Sequence, residues 1–113
     1  MISTHILDTS LGLPAAGVRV DLERQTSRDD GTLGEWTRIG ADSTNTDGRI
    51  VFPIPFEAGS YRLVFHVGDY SRSKGQTPFF PEVTVHVNIV DTSRKYHIPL
   101  LLNPFGYSTY RGS

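Results

Sequence analysis

Apolar and polar residues alternate along most of this chain, which is the pattern of β-strands that bury one face. Between positions 82 and 90, valine or isoleucine occupies each odd position from 83 to 89, and threonine, histidine and asparagine occupy the even positions between them. Positions 61–67 and 18–22 repeat this alternation. No long stretch free of glycine and proline carries apolar residues at helical spacing. The sequence therefore predicts a protein built mainly of β-strands.

About eight short strands are predicted, separated by turns rich in glycine, proline, aspartate or asparagine. The longest irregular segment, 68–81, has room for one helical turn near Tyr70–Lys74. Pro53 and Pro55 are expected to end the fourth strand. Many short strands with frequent turns are typical of a sandwich or a barrel, so the predicted fold class is all-β with at most one short helix. The predicted strands are Ile2–Leu7, Val18–Leu22, Glu35–Asp42, Arg49–Phe52, Tyr61–Val67, Glu82–Val90, Lys95–Leu102 and Tyr107–Arg111.

Three consecutive leucines, Leu100–Leu102, end the predicted strand Lys95–Leu102. Because neighbouring side chains of a strand point to opposite faces, such a run implies burial on both faces. One face would pack in the core, and the other would need cover from a partner.

Composition limits the domain organisation and the class of function. With 113 residues the chain is predicted to form a single domain, 1–113, around one core. The absence of cysteine excludes disulfides, thiolate metal sites and a cysteine nucleophile. A net charge of −1 offers no basic excess for nucleic acid, and no apolar run approaches the roughly 18 residues of a membrane span. The N-terminus lacks the features of a signal peptide, so we expect a cytoplasmic protein.

The four histidines are the first candidates for chemistry, and none has another histidine or a glutamate at metal-binding spacing. A metal site is therefore not predicted. Alternation places His66 and His86 on the outward faces of their strands, where solvent exposure or a packing contact is the expected role. His5 and His97 share their faces with both polar and apolar neighbours, and His97 is expected to face an interface or cleft. A half-buried histidine with one hydrogen bond is the alternative for both.

Two other features could take part in binding. Arg49 follows the Asp47-Gly48 turn at the start of a short strand, where a plain surface position is the alternative. The last seven residues, Tyr107–Ser113, contain two tyrosines, three hydroxyl residues and an arginine. They fit an ordinary edge strand, but their side chains could also hydrogen-bond a planar polar ligand.

Four segments together resemble the 5-hydroxyisourate hydrolase family, the transthyretin-related enzymes of purine (urate) breakdown. They are Ser3–Asp8 (STHILD), Thr46–Arg49 (TDGR), Tyr96–Leu102 (YHIPLLL) and the terminal Tyr110–Ser113 (YRGS). They occur in the family's order over residues 3–113. Transthyretin shares the fold of this family but lacks both histidines and the terminal tetrapeptide. Asn103 and Phe105 depart from the family, which more often has serine and tyrosine at these positions.

The resemblance implies a transthyretin-like sandwich of two four-stranded sheets. It also implies a homotetramer, a dimer of dimers with active sites at the dimer–dimer interface. The implied reaction is hydrolysis of the small molecule 5-hydroxyisourate to 2-oxo-4-hydroxy-4-carboxy-5-ureidoimidazoline, without a metal or cofactor. Carried over from the family motifs, the catalytic residues are His5, Arg49, His97 and Ser113, and the substrate-binding residues are His5, Arg49 and Tyr110.

The chemistry of these residue types suits that reaction. A neutral imidazole can take a proton from the attacking water, and the Arg49 guanidinium can bind the substrate and stabilise developing negative charge. The sequence does not rank His5 and His97 as the base. The main alternative is a carrier of small aromatic ligands, which would need no base beside a guanidinium. A structural or adhesion-type sandwich would need no polar cluster at all.

Overall fold

The computed structural model describes residues 1–53 and 57–113 and places their strands in two sheets around one apolar core. Pro55, one of the two prolines expected to end a strand, lies outside the described residues. The helix α1 spans Val67–Ser73. The strands are β1 (Ile2–Asp8), β2 (Leu13–Pro14), β3 (Arg19–Ser27), β4 (Leu33–Ser43), β5 (Arg49–Phe52), β6 (Gly59–Phe65), β7 (Val83–Ile89), β8 (Tyr96–Asn103) and β9 (Gly106–Thr109).

The first sheet has two parallel strands, β1 and β8, at its centre. Their pairing runs from Ile2 opposite Tyr96 to Asp8 opposite Leu102. Strand β9 pairs antiparallel with the other side of β8. Strands β5 and β2 pair with successive parts of the free side of β1, so together they form one edge. The sheet is therefore four strand positions wide.

The second sheet is antiparallel throughout, in the order β4-β3-β6-β7. Its pairing of β3 with β4 shifts register twice, between Leu22 and Glu23 and between Gln25 and Ser27. The two sheets and the single short helix confirm the predicted transthyretin-like sandwich. Among the described residues, no helix is long and apolar enough to span a membrane.

The core is formed by the inward residues that alternation predicted. In β7, Val83 and Ile89 are each 1% exposed, whereas the even positions 84, 86 and 88 are exposed. In β8, Leu100 and Leu102 are buried in the core, while Leu101 on the opposite face is half-buried. Burial of one such side chain contributes about 1.5–3 kcal/mol, so these strands supply much of the stability of the fold.

Helix α1 begins earlier than predicted. The strand predicted for Tyr61–Val67 ends at Phe65, and α1 extends over two turns instead of the single turn predicted near Tyr70–Lys74. Val67 is buried, which fits a strand as well as a helix, so its burial could not mark the boundary. Gly68 allows the helix to lie against Pro81, because a Cβ at position 68 would come 2.6 Å from the Pro81 carbonyl oxygen. The short strand β2, Leu13–Pro14, was not among the predicted strands.

A buried carboxylate joins helix α1 to the end of β1. Asp8 accepts hydrogen bonds from the Tyr70 hydroxyl at 2.8 Å, from the Ser10 hydroxyl at 2.6 Å and from the backbone N–H groups of Ser10 and Leu11. Burial opposes ionisation of Asp8, but these hydrogen bonds outweigh it and hold its pKa below the ordinary value. Burial and the contact with Asp8 raise the pKa of Tyr70 to about 12.

The substitution Tyr70→Phe should lower the free energy of unfolding by about 1.5–3 kcal/mol near neutral pH, because it removes a hydrogen bond to a buried charge. A depressed aspartate pKa stabilises the fold above the unfolded-state pKa, and this contribution is lost as the pH falls through the folded-state pKa. The loss caused by Tyr70→Phe should therefore shrink in acid, as measured by urea denaturation over a pH series.

The matched control is Tyr96→Phe, because the Tyr96 hydroxyl bonds only to the backbone of Asp91. Its effect on stability should not shrink in acid. An equal loss for Tyr70→Phe at every pH would contradict the role assigned to Asp8.

Candidate active site

One outward face of the first sheet brings together three of the candidate residues. Strand pairing sets Arg49 of β5 opposite His5 of β1, and His5 opposite Pro99 of β8. Two residues earlier along β1 and β8, on the same face, Ser3 lies opposite His97. The Cα atoms of His5 and His97 are thus roughly 8 Å apart, from the ordinary strand spacing and rise. Residues that lie far apart in the sequence share one surface.

The C-terminal tetrapeptide reaches the same face because it continues the line of β9 along β8. The β8–β9 pairing and the isolated bridge between His97 and Gly112 share one register, which places Tyr110 opposite Pro99. Pro99 has no N–H to donate there, and the Thr109 hydroxyl donates to the Pro99 carbonyl oxygen at 2.8 Å instead. The backbone ladder resumes where the Gly112 N–H donates to the His97 carbonyl oxygen at 2.8 Å.

The imidazole of His97 is held from two sides. Its Nδ1 lies 2.8 Å from the Ser3 hydroxyl oxygen on β1. On the β9 side, a Cβ added at Gly112 would come 2.6 Å from the His97 Cδ2 atom. The C-terminal tail, Tyr107–Ser113, therefore lies directly against the ring at Gly112. With both inner edges occupied, the outer edge of the ring, which carries Cε1 and Nε2, faces away from the sheet.

A tight turn before β5 positions Arg49. The side-chain oxygen of Asn45 accepts the N–H groups of Asp47 at 2.9 Å and Arg49 at 3.0 Å. Gly48 adopts a φ of +73°, and a Cβ there would come 2.5 Å from the Ile6 carbonyl oxygen. The Ile6 N–H donates to the Gly48 carbonyl oxygen at 2.8 Å, which attaches the turn to β1. This close approach, available only to glycine, places Arg49 beside His5.

The electrostatics of this face keep His97 neutral. Burial lowers the pKa of His97 below its ordinary value, and electrostatic interaction with Arg49 and His5 lowers it further. The ring is therefore uncharged at neutral pH and has a nitrogen able to accept a proton. A neutral imidazole beside a guanidinium can accept a proton from water while the cation stabilises an anion that forms nearby.

The tail is divided between this face and two other places. Tyr110 falls on the face of His5 and is 57% exposed, and Ser113 lies exposed beyond the Gly112 bridge. Tyr107 instead packs edge-on against Phe80, with ring centroids 5.1 Å apart. Tyr110 and Arg111 both line a cleft of about 290 Å³ between the two sheets. The residues of the tail therefore do not all belong to the face of His5 alone, and ligand binding by the tail stays a prediction.

Of the other two histidines, His66 contacts a carboxylate, whereas His86 makes a packing contact as expected. The Nε2 atom of His66 lies 2.9 Å from a carboxylate oxygen of Asp21, and His86 packs edge-on against Trp36 on the second sheet. Within residues 1–53 and 57–113, no group of three or more histidine, aspartate or glutamate side chains could hold a metal ion.

Ser3, Asn45 and Gly112 are site residues that were not singled out from the sequence. Alternation already put Ser3 on the face of His5, and this was the available signal. Its contact with His97 depends on the register of β1 and β8, which alternation does not determine. Asn45 contacts the backbone of a turn, and Gly112 forms a backbone bridge with His97. Neither contact can be predicted from the pattern of apolar residues.

Comparison with known proteins shows what the sequence of this chain is similar to. A profile of the HIUase/Transthyretin family matches residues 2–112. The 5-hydroxyisourate hydrolase of Salmonella typhimurium is 46% identical over 116 residues, covering all of this chain and 81% of the relative.

Solved structures show the same fold. The 5-hydroxyisourate hydrolase of Klebsiella pneumoniae superposes with a TM-score of 0.82 at 36% identity, covering 99% of this chain and 97% of the other. Sea bream transthyretin in complex with thyroxine superposes with a TM-score of 0.86 at 32% identity, covering 98% of this chain and 93% of the other. The fold is thus common to an enzyme and to a protein solved with a bound hormone, so the fold alone does not identify the function.

The substitution Arg49→Gln should raise the pKa of His97 towards the ordinary histidine value, because it removes a positive charge that disfavours the imidazolium. An NMR titration of the His97 ring signals measures this shift. Arg38→Gln, which removes an arginine from β4 in the other sheet, should leave the titration unchanged. A His97 pKa unaffected by Arg49→Gln would show that the two side chains do not interact.

The substitution Gly112→Ala should displace the His97 ring and break its hydrogen bond to Ser3, at a cost of about 0.5–1.5 kcal/mol in unfolding free energy. The ring signals of His97 should shift in the NMR spectrum. Gly106→Ala is the control on β9, because its added Cβ would meet nothing closer than 3.6 Å. Unchanged His97 signals in Gly112→Ala would contradict the packing of the tail on the ring.

Proposed function

The chain belongs to the HIUase/transthyretin family, and on this basis we propose that it is an enzyme of urate breakdown that hydrolyses 5-hydroxyisourate to 2-oxo-4-hydroxy-4-carboxy-5-ureidoimidazoline. The observation that carries the proposal is the pairing of a neutral, half-buried His97 with the Arg49 guanidinium on one sheet face. The likeness to named 5-hydroxyisourate hydrolases supports the choice of substrate.

In the proposed mechanism His97 is the general base. Its Nε2 takes a proton from water as the water oxygen attacks a carbonyl carbon of the substrate ring. The ring C–N bond then breaks, and the departing nitrogen receives the proton from the imidazolium. General-base catalysis of this kind contributes about 10²- to 10⁴-fold in rate. The lowered pKa of His97 favours this role because the base is ready in its neutral form.

Arg49 binds the substrate oxygens and stabilises the oxyanion that forms during the attack. A guanidinium stays charged at every working pH and offers a planar set of donors. Arg49 lies opposite His5 on β5, with β1 between it and the strand of His97, and this position puts the positive charge on the face where the reaction is proposed to take place. Its loss is expected to lower kcat/KM by about 10²- to 10³-fold, as for other oxyanion-stabilising donors.

The remaining family residues orient water and substrate. His5 lies between Arg49 and Pro99 in the sheet and is assigned to positioning the water or the substrate ring. Tyr110, which is largely exposed and lies opposite Pro99, is assigned to hydrogen bonding with the substrate ring. Ser113, with its terminal carboxylate, is assigned to closing the site next to the Gly112 bridge.

The proposal includes an assembly of copies of this chain that completes the site. Residues 1–113 form one domain, and four copies associate as a dimer of dimers with the outward face of the first sheet at the dimer–dimer interface. The half-buried Leu101 on that face supports this arrangement. The protein acts in the cytoplasm.

The direct test generates 5-hydroxyisourate from urate with urate oxidase and follows the decay of its near-ultraviolet absorbance after this protein is added. The decay should accelerate in proportion to the protein, and His97→Gln should remove about 10²- to 10⁴-fold of the rate. His86→Gln, at the exposed histidine of the second sheet, is the matched control and should keep the wild-type rate.

Decay at the spontaneous rate by the folded wild-type protein would contradict the hydrolase. Binding of thyroxine by that same protein would then favour a carrier.

A further inference from the structure

We propose that Ser3 is a positioning residue that accepts the Nδ1–H of His97 and so holds the neutral ring in the tautomer whose Nε2 lone pair faces the site. The proposal rests on the function proposed above for the choice of tautomer and for its kinetic consequence. Its structural part concerns a hydrogen bond that exists whether or not the substrate is 5-hydroxyisourate.

The contact itself is well defined. Ser3 and His97 are direct partners in the parallel pairing of β1 and β8, and both side chains are half-buried on the same outward face. The Ser3 hydroxyl oxygen lies 2.8 Å from Nδ1, an ordinary hydrogen-bond distance. No other residue in the described part of the chain forms a side-chain hydrogen bond with this imidazole.

The other ring nitrogen of His97, Nε2, is the one available for the reaction. Gly112 lies against Cδ2 on the opposite side of the ring, so the ring cannot turn in that direction without moving the tail. Rotation that exchanged the ring edges would lose the Ser3 contact. The ring is thus fixed with Nδ1 towards β1 and Nε2 outward, and the proton on one nitrogen determines the state of the other.

The role of the ring as a base decides which nitrogen carries the proton. A serine hydroxyl can donate or accept, so the 2.8 Å contact alone permits both tautomers. The ring edge next to Ser3 carries Nδ1 and the outer edge carries Nε2, so Nε2 is the nitrogen that can take a proton from water on this face. A neutral imidazole has one N–H, so a free lone pair on Nε2 requires the proton on Nδ1. Under the proposed function the proton therefore belongs on Nδ1, and Ser3 is its acceptor.

Thr4 and Ser3 are neighbours on β1 and contact β8 in different ways. Thr4 points inward and donates to the Ile98 carbonyl oxygen at 2.6 Å, which ties the two strands together in the core. Ser3 points outward and contacts a side chain instead of the backbone. Loss of the Ser3 hydroxyl should therefore affect the ring of His97 more than the pairing of the strands.

The experiment measures the tautomer directly, with 15N–1H NMR correlations of the His97 ring in the full-length protein at a pH where the ring is neutral. In wild type, Nδ1 should carry the proton and Nε2 should show the chemical shift of an unprotonated nitrogen. Ser3→Ala should shift the population towards the Nε2–H form, and Ser3→Thr, which keeps the hydroxyl, should restore the wild-type spectrum. Ser43→Ala, on the exposed β4 strand, is the matched control.

Kinetics provide the second readout. Ser3→Ala should lower kcat by about 3- to 10-fold with little change in KM, the effect of one neutral hydrogen bond, and Ser3→Thr should recover it. An Nε2–H tautomer in wild type, or an Nδ1–H tautomer that persists in Ser3→Ala, would overturn the proposal. Should wild type show the Nδ1–H tautomer but no hydrolysis, the proposed function would fail while the assignment of Ser3 would stand.

Discussion

The parallel pairing of β1 and β8 at the centre of the first sheet is the constraint on which the rest of the site depends. It joins the first residues of the chain to a strand about ninety positions later, with Ser3 opposite His97 and His5 opposite Pro99. Both inner faces of these strands are buried in the core, so a slip of one residue would exchange core and site side chains. The burial of Ile6 and Leu100 therefore also fixes the positions of the histidines.

The two edges of this sheet add the remaining groups. On one side, the glycine turn before β5 places Arg49 beside His5. On the other side, Pro99 interrupts the ladder to β9, and the tail rejoins it at Gly112 against the His97 ring. Burial and electrostatic interaction with Arg49 and His5 then lower the pKa of His97, which favours its neutral form. The chemistry of the site is thus a consequence of strand order and register, because β1, β5 and β8 come from distant parts of the sequence.

The sequence predicted those features that depend on local pattern. The alternation in β7 identified its buried side correctly, and the outward positions of His5 and His97 followed from the same rule. It could not show that Val67 begins a helix, because a buried valine fits either element. Nor could it pair Ser3 with His97, since alternation gives the face of a residue but not its neighbour on the next strand. The site residues were named through the family resemblance, and their roles remain proposals.

If neutral His97 is the base, the pH dependence of kcat/KM for 5-hydroxyisourate hydrolysis should match an NMR titration of the His97 ring. We expect kcat/KM to rise with pH through a single inflection, at a pKa below the ordinary histidine value of about 6.5. This kinetic pKa should coincide with the pKa of His97 from the NMR titration. A rate that does not change as His97 titrates, or one that follows a different pKa, would show that His97 is not the base.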